Sequence, residues 1–275
     1  MQDTATKFVD VDGLVKEKNP ALYKIIPRWI IRYLSERVIY ESLLNEIMSN
    51  HQESQNFDFC RLLCEKFGIT VKIEGEENIP KEGGVIFAAN HPLGGMDAIA
   101  VMSAIDMYRN DVKFLVNDIL LNIPQLRGIF VGVNKFGTTA REGIKAVDQA
   151  FAGDTALFIF PAGMVSRMTR HSVIRDLDWK KTFITKSKKY NKPVVPVHIS
   201  GRLSKRFYFI SRLRKFLRIK MNIEMLLLAQ ETIKQEGNTI IIKYGKPIDS
   251  KSFDRTKKDQ DWAYQIKSKV YQLKE

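Results

Sequence analysis

The sequence predicts an α/β protein with a mixed, largely parallel β-sheet flanked by helices, preceded by an N-terminal helical region. From about residue 69 onward, short β-rich runs alternate with helical stretches, which is typical of strands and helices packed in layers. The run at 85–89 is continuously apolar, as in strands that are buried on both faces. Residues 1–68 lack this alternation and have a helical pattern.

Composition narrows the class of protein. The chain has 275 residues, of which 44% are hydrophobic and 27% are charged. These values exclude a disordered chain, a collagen-like chain and a disulfide-stapled miniprotein. The 44 Lys and Arg residues exceed the 31 Asp and Glu residues by 13. Such an excess predicts an anionic partner, which is nucleic acid, anionic lipid, or a phosphorylated substrate or carrier.

The N-terminal region has one segment with two interpretations. Pro27 fits the first turn of a helix, in which Arg28 and Arg32 share a face. The helix is either an ordinary surface helix packed on the main domain or an interfacial helix with Trp29 at the membrane boundary. Further along, Cys60 and Cys64 are predicted to be buried apolar residues, because no second pair is present for a zinc site.

The remaining elements follow in order. Helices are predicted at 97–107, 141–151 and 181–190, and strands at 69–73, 85–89, 113–116, 128–133, 156–160, 194–199 and 239–244. The predicted division is a helical region at 1–68, for which the membrane-interfacial alternative stays open, a main domain at 69–250 and a C-terminal helix at 251–275.

Membrane crossing is not expected. No stretch reaches about 18 uncharged apolar residues, and the most apolar one is interrupted by loop residues. The first ten residues are polar, so we expect no signal peptide and a reducing cytoplasmic location.

The most informative segment runs from Asn90 to Asp97 and contains His91 and a Gly94-Gly95 pair. It follows the apolar strand and precedes a helix, which is where α/β folds place chemistry. A carboxylate bonded to one imidazole nitrogen stabilises the imidazolium, so the other nitrogen can accept a proton from a hydroxyl or amine. A helix-capping Asp beside a hydrogen-bonded His remains an equal alternative at this stage.

Two further segments carry basic or anion-binding features. The strand at 156–160 ends in a Pro161-x-Gly163 turn followed by Ser166 and Arg167, which suits anion binding through backbone N–H groups and a guanidinium. The strand at 128–133 is followed by Lys135 and Arg141, which are candidates for the same pocket. For both segments, solvated basic side chains are the alternative.

Together these segments resemble the glycerolipid acyltransferases, the family of bacterial 1-acylglycerol-3-phosphate acyltransferase. The family's motifs are Asn-His before an Asp, a strand with basic ends, Phe-Pro-Glu-Gly-Thr-Arg-Ser, and a Val-Pro-Val strand. The corresponding segments here are, in the same order, 90–97, 128–135, 160–167 and 194–197. The resemblance covers residues 70–250 and implies a glycerol-3-phosphate acyltransferase-like fold.

The sequence departs from the family pattern at two places. The spacer between His91 and Asp97 has five residues instead of four, and Ala162 stands where the third motif has Glu. Both departures are similar to a branch labelled putative hemolysin, which includes O-acyltransferases of amino-acid lipids of the glycine or ornithine type. The missing Glu argues against a glycerol phosphate acceptor, although lysophosphatidic acid stays open.

The resemblance implies a mechanism and a set of functional residues. His91 would be the general base, Asp97 would orient it, and the acceptor alkoxide would attack the thioester of acyl-carrier protein or acyl-CoA. Backbone N–H groups near Gly163 would stabilise the oxyanion. No metal or cofactor is expected, and His171 and His198 are expected to be structural. The candidate substrate-binding residues are Asn90, Gly94, Gly95, Lys135, Arg141, Pro161, Gly163, Ser166, Arg167 and Arg202.

A basic stretch at 202–220 contains eight cations and no carboxylate, with apolar residues between them. Anionic lipid headgroups, an acidic acyl-carrier protein and nucleic acid are possible partners, and nucleic acid fits an acyltransferase least. A solvated basic face without a partner also stays open. We therefore expect a peripheral enzyme at the cytoplasmic face of the inner membrane. A non-catalytic lipid- or carrier-binding relative is the alternative.

Overall fold

The computed structural model describes residues 8–18, 20–116, 120–121, 123–132, 140–169 and 172–274. The chain divides into two compact units. We call Gln55–Leu203 with Gln235–Glu275 the sheet unit, and Met1–Ser54 with Ser204–Lys234 the helical unit. This division groups 55–68 with the sheet and 204–234 with the N-terminal helices, whereas the sequence prediction drew its boundaries at 68 and 250.

The elements are numbered in chain order. The strands are β1 (Thr70–Glu74), β2 (Val85–Ala89), β3 (Lys113–Val116), β4 (Phe130–Gly132), β5 (Ala156–Ile159), β6 (Arg167–Met168), β7 (Ile174–Arg175), β8 (Val194–Ile199) and β9 (Thr239–Tyr244). The helices are α1 (Val11–Lys18), α2 (Pro20–Ile25), α3 (Arg28–Tyr33), α4 (Glu41–Asn50), α5 (Asn56–Lys66), α6 (Gly95–Ile105), α7 (Ala140–Ala152), α8 (Thr182–Tyr190), α9 (Lys205–Phe216), α10 (Leu228–Ile233) and α11 (Asp259–Gln272).

Seven strands form a mixed sheet in the order β1-β9-β8-β2-β5-β3-β4. The five strands from β8 to β4 are parallel to one another, while β9 is antiparallel to β8 and pairs in parallel with β1. The predicted fold class is therefore confirmed. Because β2, β5 and β8 are parallel neighbours, their carboxyl ends meet at one edge of the sheet. We call this the carboxyl edge.

Most predicted strand boundaries agree with the structure. The predictions at 85–89, 113–116, 194–199 and 239–244 match β2, β3, β8 and β9 residue for residue. The prediction at 128–133 was too long, because β4 covers only Phe130–Gly132; residue 133 lies outside the described residues. The short β6–β7 hairpin was not predicted, since a two-residue strand leaves no periodic pattern.

The core of the sheet unit holds the strands that precede the candidate site segments. One apolar cluster joins β2, β5 and β8 to helices α7, α8 and α11, and it includes the fully buried side chains of Trp179 and Phe183. Phe87, which points to the opposite face of β2, stacks on Phe158 with ring centroids 5.8 Å apart. Burial on both faces explains the apolar runs that identified these strands. The two cysteines of α5 are buried as predicted.

The helical unit contains buried side-chain hydrogen bonds and also has exposed apolar side chains. Buried Glu41 accepts hydrogen bonds from the Ser35 hydroxyl at 2.6 Å and the Val11 N–H at 3.2 Å. The α3 helix begins at Arg28, one residue later than predicted, with Pro27 as the residue that precedes it, and Trp29 on this helix is 70% exposed. Within the described ranges, no helix has both the length and the apolar character needed to cross a membrane.

Candidate active site

His91 and Asp97 meet at the carboxyl edge. His91 lies two residues after the end of β2, and Asp97 lies in the first turn of α6. The imidazole Nδ1 is 2.8 Å from the Asp97 Oδ2. The loop between them therefore brings together the two residues that the sequence analysis placed at the centre of the site.

The Asp97 carboxylate is held by the loop that contains it. Its Oδ2 also accepts the backbone N–H groups of Leu93 at 2.9 Å and Gly94 at 3.0 Å. Gly94 has φ 74°, a left-handed conformation that favours glycine, and this turn directs both N–H groups at the carboxylate. The five-residue spacer thus closes a compact cage around Asp97.

Burial determines the electrostatics of Asp97. The side chain is fully buried, and its Oδ1 has no hydrogen-bond partner among the residues that the structure describes. This burial raises the pKa of the Asp97 carboxyl above its ordinary value, while the hydrogen bonds from His91 and Leu93 oppose the rise. Loss of these donors would leave a costly buried charge.

The outer nitrogen of His91 is available for chemistry. Because Nδ1 faces the carboxylate, it carries the proton, and Nε2 presents a lone pair. The side chain is 18% exposed, and its ring stacks on Phe160 with centroids 4.2 Å apart and an interplanar angle of 20°. In the described part of the chain, Nε2 has no hydrogen bond. This geometry suits a general base.

Asp176 links the His91 loop to the segment after β5, and the sequence analysis did not identify it as a site residue. Its Oδ1 accepts the His91 N–H at 3.2 Å and the Ser166 hydroxyl at 2.5 Å, and its Oδ2 accepts the Trp179 indole N–H at 2.8 Å. An Asp three residues before a Trp, just beyond the third motif, was the available signal. Asp176 therefore positions two of the motifs.

Helix α11 supports the same loop from the far end of the chain. The Tyr271 hydroxyl accepts the Asp176 N–H at 2.7 Å, and the Lys267 ammonium donates to the carbonyls of Asp176 and Leu177, each at 2.9 Å. Burial lowers the pKa of Lys267, and the neighbouring Asp176 opposes this shift. The brace on the active-site loop thus consists of residues far apart in sequence.

The turn after β5 contacts His91. Some of the backbone N–H groups that were expected to stabilise the oxyanion are hydrogen-bonded within the protein. The Gly163 N–H donates to the Phe160 carbonyl at 2.9 Å, and the Ser166 N–H donates to the His91 carbonyl at 2.7 Å. Within the described chain, the N–H groups of Ala162, Met164 and Val165 have no hydrogen bond. These three groups, rather than the Gly163 N–H, are therefore the available backbone donors of the turn.

Two side chains of the turn are directed inward. The Arg167 guanidinium is buried and donates to the Val165 carbonyl at 2.8 Å. Ala162 is buried in the apolar cluster beside Trp179 and Ile159, so a carboxylate at this position would lie among apolar groups. The Arg167 guanidinium is thus not exposed to solvent, in contrast to the alternative interpretation of this turn.

The remaining predicted site residues are placed differently. The Asn90 amide exchanges two hydrogen bonds with the Ile199 backbone, at 2.9 and 2.7 Å, and so extends the pairing of β2 with β8. Gly95 has open space around it, and Arg202 is exposed just beyond β8. Lys135 lies outside the described residues, as does the side chain of Arg141.

His171 and His198 were expected to be structural rather than catalytic. His171 lies outside the described residues. His198 is buried on β8, where its ring lies edge-on to Tyr271 with centroids 6.2 Å apart. Burial lowers the pKa of His198 to about 4, and the nearby Lys274 and Lys243 act in the same direction. His198 is therefore neutral at physiological pH, consistent with a structural role.

Comparisons with known proteins extend over almost the whole chain. A family model described as Acyltransferase matches residues 13–275. The chain is 39% identical over 274 residues to a lyso-glycine lipid O-acyltransferase of Bacteroides thetaiotaomicron, covering 99% of this chain and 100% of that protein. A lyso-glycine lipid O-acyltransferase of Phocaeicola vulgatus is 38% identical, with 99% of this chain and 98% of that protein covered.

Among solved structures, the 1-acyl-sn-glycerophosphate (LPA) acyltransferase PlsC from Thermotoga maritima is similar with a TM-score of 0.47 and 20% sequence identity. That match covers 88% of this chain and 92% of the PlsC chain.

The site geometry and the family match lead to one assignment. A His–Asp pair with a free outer nitrogen lies where α/β enzymes carry out chemistry. The family model includes this pair, the turn after β5 and α11. The chain therefore belongs to the acyltransferase family, as its four ordered motifs predicted.

Proposed function

We propose that this protein is a lysolipid O-acyltransferase whose acceptor is a lyso-glycine lipid. The observation that carries the proposal is the His91–Asp97 pair, with Nδ1 bound at 2.8 Å and Nε2 open at the carboxyl edge. Two relatives with that printed function align over their whole length at 38–39% identity, which supports the choice of acceptor. The replacement of the third-motif Glu by Ala162 agrees with an acceptor other than glycerol phosphate.

The reaction is an acyl transfer that the pair can promote. His91 Nε2 removes the proton of the acceptor hydroxyl, and the oxygen attacks the thioester carbonyl to form a C–O bond. The tetrahedral intermediate collapses as the C–S bond breaks. The imidazolium then returns the proton to the thiolate, giving an ester and a free thiol. Asp97 stabilises the imidazolium throughout, as the carboxylate does in other His–Asp pairs.

Stabilisation of the oxyanion falls to the turn after β5. The N–H groups of Ala162, Met164 and Val165 are its donors without a partner in the described chain. Fixed backbone donors of this kind lower the barrier because they need no reorganisation during the reaction. The scheme uses acyl-carrier protein or acyl-CoA as the donor and requires no metal or cofactor.

The enzyme meets its lipid at an anionic membrane surface, and α9 is the part of the helical unit best suited to this contact. Phe209, Leu213 and Phe216 share one face of α9 and are 64%, 42% and 83% exposed. Exposed cations flank this apolar stripe, whereas Arg214 on the inner side pairs with buried Glu224 at 2.8 Å. An apolar stripe bordered by cations is typical of an interfacial helix.

This orientation of α9 favours the membrane over the other partners considered for the basic stretch. Acidic carrier proteins and nucleic acids are recognised chiefly through charge, and neither needs three exposed apolar side chains along one helix face. The cytoplasmic face of the inner membrane is the proposed location, because both the anionic lipid and the thioester donors are available there.

Acyl transfer by the purified protein tests the proposed function. Acyl-carrier protein and acyl-CoA donors are offered against lyso-glycine lipid, lyso-ornithine lipid, lysophosphatidic acid and glycerol 3-phosphate. We expect an ester product from lyso-glycine lipid that His91→Ala abolishes, since loss of a general base costs about 10²–10⁴-fold. His51→Ala is the matched control, because His51 belongs to the helical unit.

Each other result has a defined meaning. Product from lysophosphatidic acid alone would make the acceptor a phospholipid precursor and refute the glycine-lipid assignment. Lipid binding without His91-dependent product from any acceptor would favour the non-catalytic alternative. Flotation with anionic but not zwitterionic vesicles is expected for the full chain, and equal binding to both would contradict the membrane proposal.

A further inference from the structure

The turn after β5 lacks an exposed charged side chain of its own. Arg167 is buried against backbone carbonyls, and Ala162 is part of the apolar cluster. A neighbouring segment brings a cation to this turn. The Lys180 N–H donates to the Pro161 carbonyl at 3.0 Å, which anchors Lys180 beside the turn.

The Lys180 ammonium lies directly over the turn. Its Nζ is 3.6 Å from the position that a Cβ on Gly163 would occupy. Gly163 is exposed, has φ +66° and places no side chain of its own beside the ammonium. The Lys180 side chain is exposed and has no hydrogen bond or ion pair within the described ranges. Lys180 is therefore a cation whose backbone is fixed beside the turn and whose ammonium has no counter-charge among the described residues.

The same turn borders the catalytic base. Phe160, which starts the turn, stacks on the His91 ring, and Ser166, near its end, bonds to the His91 carbonyl. An acceptor whose hydroxyl approaches His91 Nε2 therefore has its neighbouring polar groups close to this turn. A glycine headgroup attached through its nitrogen exposes one carboxylate, which is the complementary charge for an ammonium.

We propose that Lys180 binds the carboxylate of the acceptor's glycine headgroup and thereby selects that acceptor, an inference that rests on the proposed function. Arg202 also lies beyond the carboxyl edge of the sheet, but no hydrogen bond or ion pair of the described residues ties its guanidinium to the turn. The Lys180 ammonium, in contrast, lies 3.6 Å from the position of a Cβ on Gly163. Its role is to bind and position substrate, and the proton transfer remains with His91.

The test compares two acceptors that differ only in charge. Lyso-glycine lipid and its neutral glycinamide analogue are each acylated by the wild-type protein, Lys180→Ala, Lys180→Arg and the control Lys181→Ala. Lys181 is the adjacent exposed lysine, at the start of α8. For Lys180→Ala we expect a roughly tenfold higher KM for lyso-glycine lipid, the usual size of one charge-assisted hydrogen bond. The KM for the glycinamide analogue, the KM for the thioester donor and the melting temperature stay unchanged.

Further results separate this inference from the proposed function. Lys180→Arg restores most of the affinity because it keeps the charge, and Lys181→Ala behaves as wild type. An equal rise in KM for both acceptors, a rise for the donor instead, or no change would overturn the role of Lys180. Wild-type protein that acylates neither acceptor would refute the proposed function and this inference with it.

Discussion

Charged side chains are buried and hydrogen-bonded at the carboxyl edge of the sheet unit, whereas cations are exposed on helix α9 of the helical unit. At the edge, Asp97 and Asp176 are buried, and each accepts three hydrogen bonds from within the chain. On α9, cations and Phe216 are exposed. The first arrangement holds one reactive geometry, whereas the second suits a partner without a fixed shape, such as a lipid surface.

At the carboxyl edge, we expect Asp97→Asn to have the largest effect. The amide keeps the shape of the carboxylate but not its charge, so it stabilises neither the imidazolium nor the correct tautomer. We expect kcat to fall by about 10²–10⁴-fold with little change in the KM for the acceptor. Steady-state kinetics measure this, and circular dichroism verifies the fold. A variant that retains a tenth of the wild-type kcat would refute the orienting role.

Asp176→Ala is expected to destabilise the whole carboxyl edge. It removes the acceptor of three donors, from His91, Ser166 and Trp179, two of them on buried side chains. Unsatisfied buried donors cost about 1–3 kcal/mol each, so we expect a loss of about 3 kcal/mol in the free energy of unfolding, together with lower kcat. Urea denaturation provides the measurement. Asp178→Ala, at an exposed position two residues away, serves as the control and should change neither quantity.

His198 tests whether burial in the sheet unit makes stability depend on pH. With its pKa lowered to about 4 by burial, folded His198 stays neutral between pH 4 and its ordinary value of about 6.5, whereas the unfolded chain binds a proton there. Stability contributed by neutral His198 is therefore present above about pH 6.5 and is lost as the pH falls towards 4. We expect a loss of about 2 kcal/mol across this window.

The control for this prediction is His198→Gln, which has no titrating group. Its free energy of unfolding should fall less steeply between pH 6.5 and 4 than that of the wild type, when both are measured by urea denaturation. Parallel curves would show that His198 does not titrate differently in the folded and unfolded states.

The smallest expected effect concerns the exposed apolar stripe of α9. Replacing Phe209 and Phe216 by Ser removes two apolar side chains from the α9 stripe without disturbing a buried contact. We expect binding to anionic vesicles to weaken about tenfold, equivalent to about 1.4 kcal/mol, while kcat with detergent-dispersed acceptor is preserved. Met107→Ser removes an exposed apolar side chain of the sheet unit and is the control. Equal weakening in the control would remove the case for α9.

Sequence patterns predicted the centre of the site better than its surroundings. β2 was identified with correct ends because burial on both faces leaves an uninterrupted apolar run, and the motif after it carries its own turn chemistry. The His91–Asp97 contact spans only six residues, so local spacing was sufficient to predict it. Residue types and short-range geometry were therefore sufficient to predict the contact between His91 and Asp97.

The surroundings were missed because they depend on contacts between distant residues. No local pattern indicates that Asp176 bonds to His91, since 85 residues separate them. Asn90 was predicted to bind substrate from its place in the motif, and no local pattern indicated that its amide pairs with Ile199, 109 residues further on. The inward orientation of Arg167 likewise follows from burial, which its neighbours in sequence do not reveal.

The brace between α11 and the active-site loop has a consequence for the order of folding. His91 contacts Asp176, and Asp176 contacts Tyr271 across a further 95 residues. Closing loops of this size is entropically expensive and slow, so such contacts form late. In a growing chain, His91 and Asp97 are able to meet early, but the brace on their loop is complete only after residue 271 has emerged and docked.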